Sequence, residues 1–197
     1  KLKKFYNNIF FKIFIIFWLI LITSSLLSDN ILISLKNFFF YFRFAIFSLC
    51  FWYLIELNEK ILRFLFISIL ISFSILIFDG YFQYIFNKNL LGWELYNTYR
   101  VSSFFGSELI LGSYLSRLFP ILFGLFVFLD RKNKTKKLLF FVTIIFILSE
   151  GLIFLSGERL ALFYMNLSAV FIIIMINNYK LYRLITYIGS IFLITIL

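Results

Sequence analysis

The chain has 197 residues, of which 63% are hydrophobic and 14% are charged, and its mean hydropathy is +1.01. A soluble domain is about half apolar and about a quarter charged, and one of this size keeps about a third of its unfolded surface in water. The composition therefore excludes a soluble protein and predicts a membrane protein. At about 20 residues per span, the chain has room for about seven helices and no soluble domain.

The residue types also exclude several kinds of site. The chain has no histidine and a single cysteine, Cys50, which excludes an internal disulfide and most metal centres. Its formal net charge of +10 would suit nucleic acid only on a soluble basic face, and the basic residues lie in short connections. Neither a glycine-rich nucleotide loop nor paired aspartates occur. We therefore predict no metal, no cofactor and no nucleic-acid partner.

Seven apolar runs predict an all-α, polytopic transmembrane helix bundle. They cover residues 9–27, 38–55, 61–79, 108–129, 138–156, 160–177 and 184–197. The chain opens at Lys1 without an initiator methionine, and the seventh run ends at Leu197 without a flank. We interpret residues 1–197 as a single transmembrane domain within a longer protein.

The positions of lysine and arginine predict a cytoplasmic N-terminus, because short cytoplasmic loops retain positive charge. In this orientation four basic residues fall on the outer side, namely Lys36, Lys88, Arg100 and Arg159. Twelve fall on the cytoplasmic side, namely Lys1, Lys3, Lys4, Lys60, Arg63, Arg131, Lys132, Lys134, Lys136, Lys137, Lys180 and Arg183.

The connection between the third and fourth runs, residues 80–107, is predicted to be a long loop on the outer side. It combines glycine, asparagine and glutamine with many tyrosine, phenylalanine and leucine residues. Long ordered loops are often functional, and aromatic residues favour the membrane interface. We expect this loop to lie in the membrane interface or to fold back into the protein rather than to project into water.

A first polar stretch with a candidate anion-binding residue leads into the fourth run. Arg100 and Ser103 precede a helix for which Ser107 is the predicted cap and Glu108 a first-turn acid. An arginine beside the free N–H groups of a helix N-terminus binds phosphate well. The same residues also fit an ordinary helix start with an arginine at the membrane interface.

The second polar stretch is Ser156-Gly157-Glu158-Arg159, between the fifth and sixth runs. Serine and glycine alone would only indicate a tight turn, so the Glu-Arg pair is the informative part. An outer-side arginine is not needed for orientation, and a helix N-terminus favours anions over cations. Arg159 is therefore predicted to bind an anion, with an interfacial anchor as the alternative.

Two charged residues are predicted inside spans. At 1.5 Å per residue, Arg117 lies about 13 Å below the outer end of the fourth run, and Glu150 about 9 Å below that of the fifth. Charges inside a membrane are costly and tend to pair. We predict a buried Arg117–Glu150 ion pair, which would serve either function or the attachment of one span to the other.

Three stretches together resemble the bacterial O-antigen ligase and polymerase family. The run from Arg100 to Tyr114, continued to Pro120, resembles its central signature. Leu155-Ser-Gly-Glu-Arg-Leu-Ala-Leu162 is similar to its second signature, a Ser-Gly-x-Arg turn that opens a helix. Asp79-Gly-Tyr-Phe-Gln83 and Asn89-Leu-Leu-Gly92 fit the stretch that precedes the first.

The resemblance implies a metal-independent glycosyltransferase of lipopolysaccharide biosynthesis in the bacterial inner membrane. It implies transfer of an undecaprenyl-diphosphate-linked glycan, at the outer face of that membrane, to lipid A core or to a growing glycan. By matching position, Arg100 and Arg159 would contact the diphosphate. The supporting residues that we predict are Ser103, Glu108, Arg117, Glu150, Gly157 and Glu158.

The family's large late outer loop, which carries a further basic residue and often a histidine, has no counterpart in these residues. The candidate base of the reaction is therefore not predicted within this chain. Two other functions fit the same sequence, namely a transporter or flippase of lipid-linked sugars and a non-catalytic membrane assembly subunit.

Overall fold

The computed structural model describes residues 3–97, 99–130, 136–176 and 179–196. Within these residues the chain is helical, and its only extended pairings are two isolated bridges, Lys88 with Glu94 and Tyr96 with Arg100. The all-α prediction is confirmed. The chain divides into two compact units, Lys1–Leu62 and Arg63–Leu197, which are described separately. The interpretation of residues 1–197 as one transmembrane domain stays a prediction.

The first unit contains α1 (Lys3–Tyr6), α2 (Ile9–Leu26), α3 (Ile31–Phe39) and α4 (Phe42–Leu57). Asn8 caps α2, because its side-chain oxygen accepts a hydrogen bond from the N–H of Phe11 at 2.8 Å. The side chains of α2 are apolar on all sides and mostly exposed within the unit. Such a helix is suited to contact with lipid.

The second unit contains most of α5 (Lys60–Phe86), and then α6 (Leu111–Asp130), α7 (Lys136–Leu155), α8 (Arg159–Met175) and α9 (Lys180–Ile196). Both α6 and α9 pack against α7 and α8. Large apolar side chains such as Leu115, Leu152 and Met165 are fully buried between these helices. A short turn joins α7 to α8, so the N-terminus of α6, the end of α7 and the start of α8 lie at one end, here called the loop end.

The long apolar helices make this chain a membrane protein. Within the described residues, four helical segments have the length and hydropathy to cross a membrane: Ile9–Leu26, Ile31–Leu57, Lys60–Phe86 and Leu111–Asp130. The second of these segments comprises α3, α4 and the turn between them. The apolar part of α7, Leu139–Leu155, and the whole of α8 are shorter. At 1.5 Å per residue each is about 26 Å long, close to the roughly 30 Å of a hydrocarbon core.

Two predicted boundaries differ from the structure. The second predicted run is split, because a turn at Phe40 and Tyr41 separates α3 from α4. The third continues as α5 to Phe86, although Asp79 was expected to end it. Asp79 is fully buried but hydrogen-bonded, so its carboxylate does not interrupt the helix. The loop that follows therefore begins at residue 87 rather than at residue 80.

The predicted orientation is testable by cysteine labelling in unit 2. Four of the basic residues on which it depends, Lys1, Arg131, Lys132 and Lys134, lie outside the described residues. Leu91 is exposed in the loop after α5, and Lys180 is exposed at the start of α9, the end opposite to the loop end.

With exposed Cys50 first replaced by serine, we expect Leu91→Cys to react with a membrane-impermeant maleimide in intact cells. Lys180→Cys should react only after lysis, because its end carries the excess of positive charge. Labelling of Lys180→Cys in intact cells, with Leu91→Cys protected, would reverse the orientation.

Candidate functional site

A cleft at the loop end is lined by both arginines that the sequence analysis selected. Its volume is about 360 Å³. Arg100 reaches it from the loop before α6, and Arg159 from the first turn of α8. The other lining residues are Tyr99, Ile153, Phe154, Gly157, Glu158 and Leu162. The fold thus joins two polar stretches that are far apart in sequence.

The Arg100 side chain is held across the turn between α7 and α8. Its Nε donates a hydrogen bond to the carbonyl oxygen of Ser156 at 2.8 Å, and the N–H of Val101 donates to the carbonyl of Leu155 at 3.2 Å. A Cβ on Gly157 would lie 2.9 Å from Arg100 Nε, and Gly157 has a positive φ of 70°. Glycine is therefore needed here for the turn and for the close approach of the guanidinium.

Arg159 is the first residue of α8, and its side chain is exposed. Its predecessor Glu158 is the N-cap residue but makes no side-chain cap to α8. The N-terminal N–H groups of α8 and the Arg159 guanidinium thus place positive charge on the cleft. Among the described residues, neither Arg100 nor Arg159 has a carboxylate within 4.0 Å.

The Glu158 carboxylate instead caps the neighbouring helix α6. Its oxygens accept hydrogen bonds from the N–H of Gly112 at 2.6 Å and from the N–H and Oγ of Ser113 at 3.0 and 2.7 Å. A Cβ on Gly112 would lie 2.8 Å from Ser156 Oγ and 3.0 Å from Glu158 Oε1, so a larger residue would force one of these side chains to shift. The N-terminus of α6 is therefore already occupied by an anion from the chain itself.

The predicted helix start at Ser107 and Glu108 is wrong. Helix α6 begins at Leu111, where the N–H of Tyr114 donates to the carbonyl of Ile110 at 2.8 Å. Glu108 is exposed and lies before the helix rather than in its first turn. A capping pattern in the sequence was misleading because the anion at this helix comes from a residue across the bundle, Glu158.

Ser103 holds the loop in place and does not line the cleft. It is fully buried, its Oγ donates to Asp79 Oδ2 at 2.5 Å, and its N–H donates to Gln83 Oε1 at 2.7 Å. Its φ of 51° lies in the left-handed region that non-glycine residues seldom adopt. These hydrogen bonds stabilise a conformation that brings the preceding residues, including Arg100, against α7.

Three buried polar residues that the sequence analysis did not place in the site fix this loop. Asp79 also accepts from the N–H of Leu90 at 2.9 Å. Gln83 accepts from the N–H of Ser102 at 3.0 Å and donates to two loop carbonyls. Asn89 donates to the carbonyl of Ser103 at 3.0 Å. These contacts hold part of the loop against α5, one of the two placements expected from the sequence, and the placement of the loop relative to a membrane stays a prediction.

The sequence contains a signal for the hydrogen bonds by which Asp79 and Gln83 hold the loop. Asp79 and Gln83 are four residues apart, so a helix places them on one face. Two polar side chains on one face of an otherwise apolar helix indicate a polar partner, because buried polar groups are costly unless hydrogen-bonded. Because the predicted span ended at Asp79, Gln83 was assigned to the loop, and the helix face that the two residues share was not recognised.

The predicted ion pair between Arg117 and Glu150 is wrong. Arg117 is exposed in an open groove between α6 and α8, beside Tyr164 and Ser168. Glu150 is fully buried, and neither carboxylate oxygen has a hydrogen-bond partner among the described residues. The two residues were assigned from their depths, but helix rotation places their side chains on different faces of the packed helices.

No family model, curated protein or solved structure matches this chain. Within the described residues, no group of three or more histidine, cysteine, aspartate or glutamate side chains is placed to hold a metal ion. The charged groups that the structure places at the cleft are Arg100, Arg159 and the N-terminus of α8, together with the Glu158 carboxylate that caps α6.

The role of Glu158 predicts a loss of stability on its removal. Glu158→Ala should lower the free energy of unfolding by about 1–2 kcal/mol, because α6 loses its charged cap. Glu108→Ala is the matched control, since Glu108 is exposed and its carboxylate makes no described contact, and it should be neutral. SDS titration of the purified protein in mixed micelles measures the free energy of unfolding of both variants. Equal values for the two would contradict the role of Glu158 as the cap of α6.

Substitutions at Gly112 and Gly124, both in α6, test the close approach of this helix to the turn that joins α7 to α8. Gly112→Ala should destabilise the protein by about 1–3 kcal/mol, because its Cβ would displace Ser156 or Glu158. Gly124 has no atom within 4 Å of a Cβ position, so Gly124→Ala should be neutral or stabilising by up to about 1 kcal/mol. The same SDS titration measures the free energy of unfolding of both variants. If Gly112→Ala left it unchanged, the Ser156 and Glu158 side chains would be able to move aside without cost.

Proposed function

We propose that the cleft binds the diphosphate of an undecaprenyl-diphosphate-linked glycan, and that the protein acts in transfer of that glycan at the outer face of the bacterial inner membrane. The observation that carries the proposal is the convergence of Arg100 and Arg159 on one cleft at the start of α8. This convergence is what the resemblance to the O-antigen ligase and polymerase family requires of its two signatures.

The charges of the cleft favour a multiply charged anion. The Nε of Arg100 donates a hydrogen bond to the carbonyl of Ser156, and its two Nη groups make no hydrogen bond to any described residue. Arg159 has no described partner, and α8 contributes its N-terminal N–H groups. Among the residues that the structure describes, Glu158 is the one carboxylate lining the cleft, and its charge is stabilised by the N-terminus of α6. A guanidinium binds phosphate through two parallel hydrogen bonds, so two arginines suit a diphosphate.

The location of the cleft favours a lipid-linked ligand over a free one. It lies where α7 ends and α8 begins, and Ile153, Phe154 and Leu162 form its apolar wall. Phe154 is 41% exposed on the outer surface of the unit, as are many other apolar side chains that would face lipid. A diphosphate at this level can thus bind the arginines while its polyprenyl chain stays in the hydrocarbon.

In the proposed reaction, the oxygen of an acceptor hydroxyl forms the new glycosidic bond as the bond between the anomeric carbon and the diphosphate breaks. The diphosphate takes the bonding electrons, so undecaprenyl diphosphate and a proton are released. Negative charge therefore develops beside Arg100 and Arg159, which would stabilise the leaving group. The acceptor would be lipid A core or a growing glycan.

A binding experiment tests the role of the arginines directly. Purified protein in detergent is titrated with radiolabelled undecaprenyl diphosphate, and undecaprenol, which lacks phosphate, serves as the ligand control. Arg100→Lys and Arg159→Lys should each weaken diphosphate binding by roughly tenfold to a hundredfold, since a charge-assisted hydrogen bond contributes about 1.5–3 kcal/mol. The change should leave undecaprenol binding unaltered.

The matched control is Arg63→Lys, an exposed arginine near the start of α5, which should bind as the unmodified protein does. Arg159 has no described partner, so its replacement is not expected to affect folding, which a size-exclusion profile checks. Unchanged affinity in both Arg100→Lys and Arg159→Lys would reduce the two residues to interfacial anchors and remove the basis of the proposal.

The glycolipids of a deletion strain separate transfer from transport. Transfer predicts loss of long surface glycan and accumulation of the lipid-linked precursor on the outer leaflet. A flippase predicts accumulation on the inner leaflet, and an unchanged glycolipid profile would contradict both.

A further inference from the structure

A second polar site lies within the bundle of unit 2, and the proposed function does not use it. Its centre is Glu150 of α7, whose side chain is 0% exposed and whose two carboxylate oxygens have no hydrogen-bond partner among the described residues. The adjacent Ser149 Oγ is also buried and has no partner there. A buried carboxylate in this condition is costly, since no hydrogen-bond donor among the described residues compensates its charge.

The groups around Glu150 carry oxygen but no charge. Asn166 of α8 and Ser190 of α9 approach the carboxylate without reaching hydrogen-bond geometry. Tyr187 of α9 faces the same site, and its hydroxyl donates to Asn166 Oδ1 at 3.0 Å. Helices α8 and α9 thus surround the carboxylate with neutral amide and hydroxyl groups.

The charged and titratable residues of the neighbouring helices that are named next bind other groups or point away from Glu150. From α9, Arg183 donates to the carbonyls of Ile172 and Ile176, near the end opposite to the cleft. From α5, Asp79 binds the loop, and the Tyr81 hydroxyl donates to the carbonyl of Leu148 at 3.1 Å. Arg117 of α6 is exposed in its groove. No lysine or arginine among the described residues lies within 4.0 Å of Glu150.

We propose that Glu150 is the anionic ligand of a buried monovalent-cation site, occupied by a proton or by Na⁺. One carboxylate balances one positive charge. A divalent ion would be expected to have further carboxylate ligands, and within the described residues no group of three or more histidine, cysteine, aspartate or glutamate side chains is found. The neutral polar side chains of Asn166 and Ser190, which approach the carboxylate, suit either occupant. Membrane proteins place lone carboxyl groups inside a helix bundle where they bind protons or Na⁺.

The test is infrared spectroscopy of the purified protein reconstituted in lipid, in deuterated buffer at neutral pH, with choline chloride or NaCl as the salt. Glu150→Gln is the main variant, because it keeps the shape of the side chain and removes the carboxyl group. Glu108→Gln is the matched control, because Glu108 is exposed. Each spectrum is subtracted from that of the unmodified protein.

A proton site predicts a protonated carboxyl C=O band that is present in both salts, lost in Glu150→Gln and kept in Glu108→Gln. A Na⁺ site predicts a carboxylate band, assigned by its loss in Glu150→Gln, that shifts between choline and Na⁺. An ionised Glu150 with the same carboxylate bands in both salts would overturn the proposal. None of these outcomes depends on diphosphate binding, so the site is tested independently of the proposed function.

Discussion

The Glu158 carboxylate at the N-terminus of α6 determines how the loop end of unit 2 is assembled. It links the turn that starts α8 to the first N–H groups of α6, and Gly112 permits the contact. Two helix N-termini and two arginines would otherwise gather positive charge at one place. Because Glu158 caps α6 and not α8, positive charge from Arg100, Arg159 and the N-terminus of α8 is left at the cleft, and the proposed function assigns this charge to the binding of a diphosphate.

The helices and the two arginines could be predicted from sequence, because each depends on a local property. A run of about 20 apolar residues has few alternatives to a spanning helix. Arg100 and Arg159 were recognised because orientation does not require them on the outer side. Their convergence in one cleft depends on Ser156, whose carbonyl binds Arg100, and on the loop anchor at Asp79 and Gln83. Such contacts between distant segments have no local signature.

Two of the errors in the prediction arise because local sequence does not reveal which residues meet across the bundle. Depth in a span follows from residue number, whereas the direction of a side chain depends on which face of the helix is packed. Arg117 lies on the exposed face of α6, while Glu150 lies on the face of α7 that meets α8 and α9. The misplaced cap at Ser107 is similar, since a nearby serine predicts a cap only if no distant carboxylate occupies the helix end.

The cleft and the Glu150 site share the same two helices, which makes their charges interdependent. Ile153 and Leu162 line the cleft, and Glu150 and Asn166 lie about one helical turn beneath them on α7 and α8. Across an apolar layer of this thickness, a diphosphate and a bare carboxylate would repel strongly, because little water screens them. A cation on Glu150 would remove that repulsion. Under the two proposals, cation and diphosphate therefore favour each other's binding, and the coupling is reciprocal as linkage requires.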